Sequence, residues 1–430
     1  MAAAPVASEA PSPAYARYVL GVLFVVYVFN FIDRQILSIL LPSIKEDLQV
    51  SDTALGFLTG FAFAAFYTVA GLPIARMADT GTRRTIIAIG VAVWSVMTAA
   101  QGLSRVFWQL ALARIGVGVG EAACSPPAHS LLADYFPPER RATALAVYAS
   151  GIHFGVLFGL LAGGWINEFF GWRVAFFVVG LPGVLLAVLV RLTVREPDRG
   201  QSEPGVQVAE QPPAVKDVFA FLWQMSSFRH LALGSAFMAF AGYGLSTWTP
   251  TFLVRVHGMG TGEIGTWYGT ITGVFGATGA FLGGWLTDRL SRSDARWYLW
   301  VPAIGAVFGI PFVLALLFWS DPHQGLLLSI PSTVMGAMWL GPVFSLTQTL
   351  AQVRMRAVAS AILLFIINII GLGLGPQVVG ILNDVLQPRF GVDAVRWSLA
   401  SVAVVMSLWA GFHYVWAART LREDLRAKDA

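Results

Sequence analysis

The stretch that decides the fold is Trp172-Arg173-Val174-Ala175-Phe176-Phe177-Val178-Val179-Gly180-Leu181-Pro182-Gly183-Val184-Leu185-Leu186-Ala187-Val188-Leu189-Val190-Arg191. Between its two arginines no residue carries a charge. A helix of that length crosses the roughly 30 Å hydrocarbon core of a bilayer. Similar runs occupy 17–42, 54–76, 85–104, 106–133, 142–167 and 172–194, then 229–255, 263–287, 297–319, 325–351, 357–383 and 394–417. The reading is therefore twelve transmembrane helices, since strands of a membrane barrel would show alternating segments of about ten residues. Composition agrees. The 430 residues are 56% hydrophobic and only 12% charged, where a soluble protein carries about a quarter charged residues. A soluble multidomain protein and a disordered chain are both excluded.

Lysine and arginine set the expected orientation. An even number of spans puts both termini on one side, and that side holds 20 of the 28 basic residues. The other side holds six: Lys45, Arg105, Arg173, Arg255, Arg389 and Arg396. This bias predicts cytoplasmic termini, in a bacterial inner membrane. It also accounts for the pI near 9.3 without a nucleic-acid partner. The first apolar run is too long for a signal peptide and is read as a retained helix. The expected organisation is a disordered cytoplasmic segment over 1–16, a six-helix bundle over 17–194, a cytoplasmic linker over 195–227, a second bundle over 228–418 and a cytoplasmic tail over 419–430.

The two bundles repeat one another. Glu139-Arg140-Arg141-Ala142-Thr143-Ala144 before span 5 matches Arg354-Met355-Arg356-Ala357-Val358-Ala359 before span 11. Gly164-Trp165-Ile166-Asn167-Glu168 closes span 5 as Gly380-Ile381-Leu382-Asn383-Asp384 closes span 11. Such duplication places a binding site between the halves, near the bilayer midplane.

These residues resemble the major facilitator superfamily along the whole chain. The superfamily signature after span 2, G-x-L-x-D-R-x-G-R-R, is met by Asp79, Arg83 and Arg84, with Ala75 at the first glycine and Thr80 at the first arginine. A second copy has Gly284, Leu286, Asp288, Arg289 and Arg292. Span 4, Arg114-Ile115-Gly116-Val117-Gly118-Val119-Gly120-Glu121, is similar to the R-x-x-x-G-x-G signature. Asp33-Arg34 with Gly120-Glu121-Ala122, and Trp248-x-Pro250-x-Phe252-Leu253-x-Arg255, resemble the spinster-like subfamily. The resemblance implies an all-α major facilitator fold of two pseudo-symmetric six-helix bundles. It also implies export of sphingosine 1-phosphate or lysophospholipids. Gly159-Leu160-Leu161-Ala162-Gly163-Gly164 is similar to the antiporter motif G-P-x-x-G-G, with leucine in place of proline.

Four charges lie clearly inside spans: Asp33, Arg34, Arg114 and Glu121. Ionisable groups there are expensive and point to function. Asp33 and Arg114 lie level and could pair. Arg114 and Glu121, seven residues apart, share a helix face about 10 Å apart. Proton coupling is expected on Asp33 and Glu121, tuned by Arg34 and Arg114; the alternative is a fixed ion-pair network. Substrate contacts are expected from Arg34, Arg114, Glu121, Tyr27, Asn30 and His153 on one wall. Tyr243, Thr247, Trp248, Trp339, Gln348 and Asn368 would form a neutral, aromatic second wall. Asp79, Arg83, Arg84, Asp288, Arg289 and Arg292 are expected to gate the cytoplasmic side as hydrated ion pairs. The four-residue spacing of Gly151, Gly155, Gly159 and Gly163, and of Gly265, Gly269 and Gly273, fits either a sliding interface or tight packing. Pro126 and Pro127 should kink span 4 just inside Glu121.

His129 and Asp134 match H-x4-D by spacing, but five residues turn a helix by about 140°, so the side chains diverge. Cys124 is the single cysteine, which leaves no disulfide within the chain and no cysteine-based metal site. No cofactor, metal or enzymatic activity is expected, and no nucleotide-binding loop is present to drive transport. The expected function is proton-coupled secondary transport by alternating access of an amphipathic lipid-like or organic anionic solute, by a monomer in the lipid bilayer. Symport of small carboxylates, multidrug/proton antiport and a membrane-embedded lipid-modifying enzyme are the alternatives.

Overall fold

The structure is a computed structural model. It describes residues 12–202 and 214–429, except the side chains of residues 72, 79, 353 and 427–429. Twelve helical spans cross the molecule. Span 1 is Pro13–Leu48, capped by the Ser12 hydroxyl on the Tyr15 N–H. Span 2 joins Asp52–Thr59 to Phe61–Thr80, and span 3 is Arg83–Gln101. Span 4 breaks outright where a kink is expected: Phe107–Glu121 ends one residue after Gly120, and Ser125–Tyr135 restarts with prolines in its first turn. Spans 5 and 6 are Pro138–Phe170 and Trp172–Thr193, hinged at Gly171 with φ of 82°.

In the second half, span 7 is Ser226–His257. Span 8 is Thr261–Thr270 and Gly276–Leu290 around a π-helical turn, Ile271–Phe275. Span 9 is Trp297–Phe308 with Ile310–Phe318, and span 10 comprises Pro322–Leu328, Ile330–Ala337 and Leu340–Leu350. Span 11 is Arg356–Ile366 and Gly375–Phe390 around a second π-helical segment, Ile367–Leu374. Span 12 is Ala394–Asp429. Helix thus reaches residues 13–16 and 419–429, which the sequence reading left outside the bundles. Segments 1–11 and 203–213 of the expected terminus and linker lie outside the described residues. Inside the linker, Val215–Gln224 is an amphipathic helix that buries Val218 and Leu222 against the second bundle.

Apolar length alone marks eight crossing stretches, the last of which, Arg356–Arg426, contains spans 11 and 12. The three spans it misses are 4, broken and charged, and 7 and 8, diluted with glycine, serine and threonine. Those three line the interface between the halves or carry its charges.

The buried side chains form three cores whose distribution fixes the shape. At the end opposite the termini one core is shared by both halves: Ile36, Leu40, Leu55 and Leu160 pack with Phe240, Trp248, Phe252 and Val379. Toward the termini it divides. Val22, Val26, Trp94, Val117 and Tyr148 belong to a first-half core, and Leu231, Leu299, Val343, Leu363 and Tyr414 to a second-half core. The halves are sealed away from the termini and separate toward them.

The seal depends on glycine. A Cβ at Gly164 would lie 2.2 Å from the Thr261 carbonyl oxygen, at Gly60 2.4 Å from that of Gly373, and at Gly380 2.4 Å from that of Asp52. The glycine rows divide their work. Gly155 and Gly159 seat span 5 on span 1 within the first half, whereas Gly265, Gly269 and Gly273 seat span 8 on span 5 across the halves.

Candidate functional site

Asp33 and Arg34 sit on span 1 where the shared core gives way to the two separate ones, between Val26 and Ile36. Arg114 and Glu121 occupy the matching level of span 4. Adjacent residues on a helix diverge by about 100°, so Asp33 and Arg34 face different neighbours. Arg34 Nε donates to Glu121 Oε2 at 2.5 Å, with the glutamate side chain fully buried and the arginine 15% exposed. Its guanidinium lies 5.0 Å from the Phe31 and Phe63 ring centroids and 4.7 Å from that of Tyr67. Arg114 stacks on Phe63 at 4.7 Å. One phenyl ring thus touches two cations, and the cation–π geometry replaces part of the hydration each has lost.

Arg114 does not pair with the Asp33 carboxylate as expected. Its Nη1 donates instead to the Asp33 backbone carbonyl at 3.1 Å. Asp33 is 2% exposed and its Oδ1 makes no hydrogen bond; nor does Glu121 Oε1. Thr98 and Asn30 lie beside these two carboxylates, outside hydrogen-bonding geometry. The ion pair of the site is therefore Arg34–Glu121, and among the described residues Asp33 is a buried acid without a charged partner in contact. Burying an ionised carboxylate in that state is costly.

The other expected contacts are placed as follows. Tyr27 stacks on buried Tyr148 at 4.3 Å, next to Cys124. Tyr243 reaches toward Arg34 from span 7 and packs against the cores of both halves. His153 meets span 8, its Nδ1 3.3 Å from where a Gly276 Cβ would be. Trp248 is fully buried and donates to the Pro376 carbonyl at 2.9 Å, so it packs the seal. Trp339 packs into the second-half core, Thr247 is half-buried, Gln348 is exposed, and Asn368 lies on the π-helical segment of span 11. None of these last four hydrogen-bonds to the charge cluster. The second wall is dispersed, and its two π-helical segments, at spans 8 and 11, leave no signal in residue type. Such segments recur at functional sites.

Among the described residues, the expected gating side chains do not bridge the halves in this conformation. Arg83 is 1% exposed, contrary to the hydrated position expected, and pairs within the first half with Asp134 and with Glu196 at 2.7 Å. Arg84 donates to the Val194 carbonyl, and Arg289 lies over Trp285. Asp288 and Arg292 make no ion pair among the described residues, and the Asp79 side chain lies outside them.

The charges that do bridge the halves are at the sealed end, and sequence reading missed them. Asp52, 2% exposed, accepts from Arg255 at 2.5 and 2.8 Å and from Lys45 at 2.5 Å. Asp384 accepts from the backbone of Asp52 and Thr53, while Gln35 donates to Ser246 at 3.1 Å. The available signal was basic residues on the basic-poor side: Lys45 and Arg255 are two of only six there. Among the described residues no group of three or more histidine, cysteine or acidic side chains could hold a metal ion.

This architecture has counterparts. A crystal structure of a bacterial homolog of the human lysosomal transporter spinster, inward-facing and unoccupied, superposes with a TM-score of 0.87. It is 31% identical and covers 96% of this chain and 99% of that one. An MFS-type efflux pump of Mycolicibacterium smegmatis is 37% identical over 96% of this chain and 95% of its own. Protein spinster homolog 1 of Homo sapiens is 28% identical over 92% of this chain and 80% of its own. The family model of the Major Facilitator Superfamily matches residues 23–376, and with this fold, repeat and intramembrane charge cluster the chain belongs to the Major Facilitator Superfamily.

Proposed function

We propose that this chain is a proton-coupled secondary transporter that moves an amphipathic lipid-like or organic anionic solute by alternating access. The observation that carries the reading is the Arg34–Glu121 pair at the fork of the cores, with the Asp33 carboxylate unpaired beside it. A proton on Glu121 removes the charge that holds Arg34 and frees the guanidinium for an anionic head group. Half-buried Phe31, Tyr67 and Tyr243 offer apolar surface for the remainder of the solute. Asp33, buried without a cationic contact, is the group from which a proton is exchanged as the halves rock.

The separation of the cores toward the termini corresponds to an inward-facing state, with both termini cytoplasmic and the protein in a bacterial inner membrane. The bias of 20 basic residues to six supports that orientation. One chain contains both halves of the pathway and works as a monomer. No step of it requires chemistry on the solute, so the protein is not an enzyme.

Similarity to an efflux pump favours a second reading, multidrug/proton antiport. Reconstitution into liposomes loaded with a pH-sensitive dye separates the readings. Lysolipids, small carboxylates and lipophilic cations are offered in turn under an imposed pH gradient. Solute-dependent proton flux with lysolipids is expected. Flux only with carboxylates or only with cations selects the corresponding alternative, and no solute-dependent flux with any set overturns proton coupling.

A further inference from the structure

Span 9 and span 12 leave a groove between them on the face that meets the acyl chains of the bilayer. Its volume is about 410 Å³. Ile304, Val307 and Phe308 form one wall, and Phe412, Val415 and Trp416 the other. All six are exposed, from 38% at Val307 to 62% at Phe308. The wall on span 12 is a single helical stripe, since 412, 415, 416 and 419 follow the spacing of one face. That stripe ends in a charge: Arg419 closes the groove on the terminus side, its guanidinium 5.4 Å from the Trp416 ring centroid. At the floor Gly411 lets the helices approach, because a Cβ there would meet Val307 Cγ2 at 2.6 Å.

The charge balance at this end is uneven. Asp294, in the loop before span 9, accepts from Arg296 at 2.7 Å and from Arg422 at 3.0 Å. One carboxylate thus serves two arginines. Arg419 has no acidic partner among the described residues, and its position over an interfacial tryptophan holds it beside the mouth of the groove. A cation unmatched by protein, at the polar end of an apolar slot in a membrane, is complementary to a lipid phosphate above an acyl chain.

We infer that this groove binds one anionic phospholipid, with its phosphate on Arg419 and an acyl chain between spans 9 and 12. The site lies on the outer face of the second half, away from the Arg34–Glu121 pair. It is independent of the transported solute.

Native mass spectrometry of the full chain in detergent, titrated with phosphatidylglycerol or phosphatidylcholine, tests it. The wild type should retain one phosphatidylglycerol in preference to phosphatidylcholine. Arg419→Gln should weaken phosphatidylglycerol about tenfold, the effect of one charge-assisted contact. Ile304→Trp, which fills the slot from a lipid-facing position, should weaken both lipids. Arg17→Gln, an exposed arginine on the first half, should leave binding unchanged and controls for general charge. Unchanged phosphatidylglycerol binding in both Arg419→Gln and Ile304→Trp, or equal loss in Arg17→Gln, overturns the inference.

Discussion

Asp384 Oδ2 accepts the Thr53 backbone N–H at 2.7 Å and the Thr53 hydroxyl at 2.6 Å, and so holds the end of span 11 to the first turn of span 2. Its repeat partner Glu168 does the same elsewhere: its Oε2 accepts the Gly262 N–H at 2.6 Å and holds span 5 to the first turn of span 8. Each acid reaches across from one half to the other, onto the positive end of a helix. The two latches are related by the internal repeat, and together with Asp52–Arg255 they close the end remote from the termini.

Removing one latch should favour opening at that end. Asp384→Asn replaces charge-assisted hydrogen bonds worth about 1.5–3 kcal/mol with weaker ones. The difference, about 1–1.5 kcal/mol, is enough to shift a two-state population by about five- to tenfold. Spin labels at Glu46→Cys and His257→Cys, in a Cys124→Ala background, should report a longer distance in a larger fraction of molecules. An unchanged distance distribution would count against the latch.

The glycine contacts make the opposite prediction for rate. A side chain at Gly164 meets the Thr261 carbonyl oxygen at 2.2 Å, and backbone on a packed helix cannot yield as a side-chain tip can. Gly164→Val should therefore prevent closure and reduce transport well below wild type, while leaving the protein in the membrane. Gly21→Ala, with nothing within 4 Å, should transport normally. Normal transport by Gly164→Val would show that the seal is not part of the cycle.

At the charge cluster, three variants separate coupling from packing. Asp33→Asn should abolish pH-dependent transport yet fold, since its carboxylate makes no ion pair to lose. Glu121→Gln should leave Arg34 without its counter-ion and raise apparent affinity for an anionic solute. Arg34→Lys keeps the charge but loses the planar contacts to Phe31, Phe63 and Tyr67, so solute binding should fall. Dye-reported proton flux and solute binding, measured in parallel, check all three.

How far the sequence could lead is clear from particular residues. Apolar length marks nine of the twelve spans because lipid demands long apolar helices, spans 4, 7 and 8 being legible only from apolar runs between charged turns; the cost of buried charge singled out Asp33, Arg34, Arg114 and Glu121. Their pairing was not legible. Seven-residue spacing puts Arg114 and Glu121 on one face, but a helix sequence does not say how far its neighbour is rotated. That rotation brought Arg34 rather than Arg114 to Glu121. The cross-half contacts of Asp52 and Asp384 were not legible because Arg255 and Thr53, the residues they hold in the other half, are more than 200 and 300 residues away. Only the Asn167-Glu168 and Asn383-Asp384 repeat hinted that those ends were built alike.

Arg83 leads to a stability prediction. It is buried between Asp134 and Glu196, and also donates to the Ser130 hydroxyl and the Pro197 carbonyl. Truncating one partner of a buried ionic network costs about 3–5 kcal/mol, because the remaining charges lose their compensation. Arg83→Gln should lower the thermal midpoint markedly, and Arg84→Gln, which loses one carbonyl contact, much less. Equal effects would place Arg83 in a hydrated network instead.

Asp294 makes the pH dependence of the terminus-side end of span 9 predictable. Arg296 first, and Arg422 further away, hold its carboxyl down at about 2. A carboxyl depressed in the folded state contributes stability that is fully present above its unfolded value of about 3.9. That contribution is lost as pH falls toward 2. Because the half-buried carboxylate lies in a loop and its partners Arg296 and Arg422 are themselves 34% and 58% exposed, the contribution should stay within about 1 kcal/mol. Asp294→Asn should therefore unfold slightly below wild type at pH 6, with the gap closing between pH 4 and pH 2. Thermal midpoints of both proteins in detergent across that range measure it. A gap that widens on acidification would mean that the carboxylate is not held by Arg296 and Arg422, and that span 9 is anchored to span 12 by apolar contact alone.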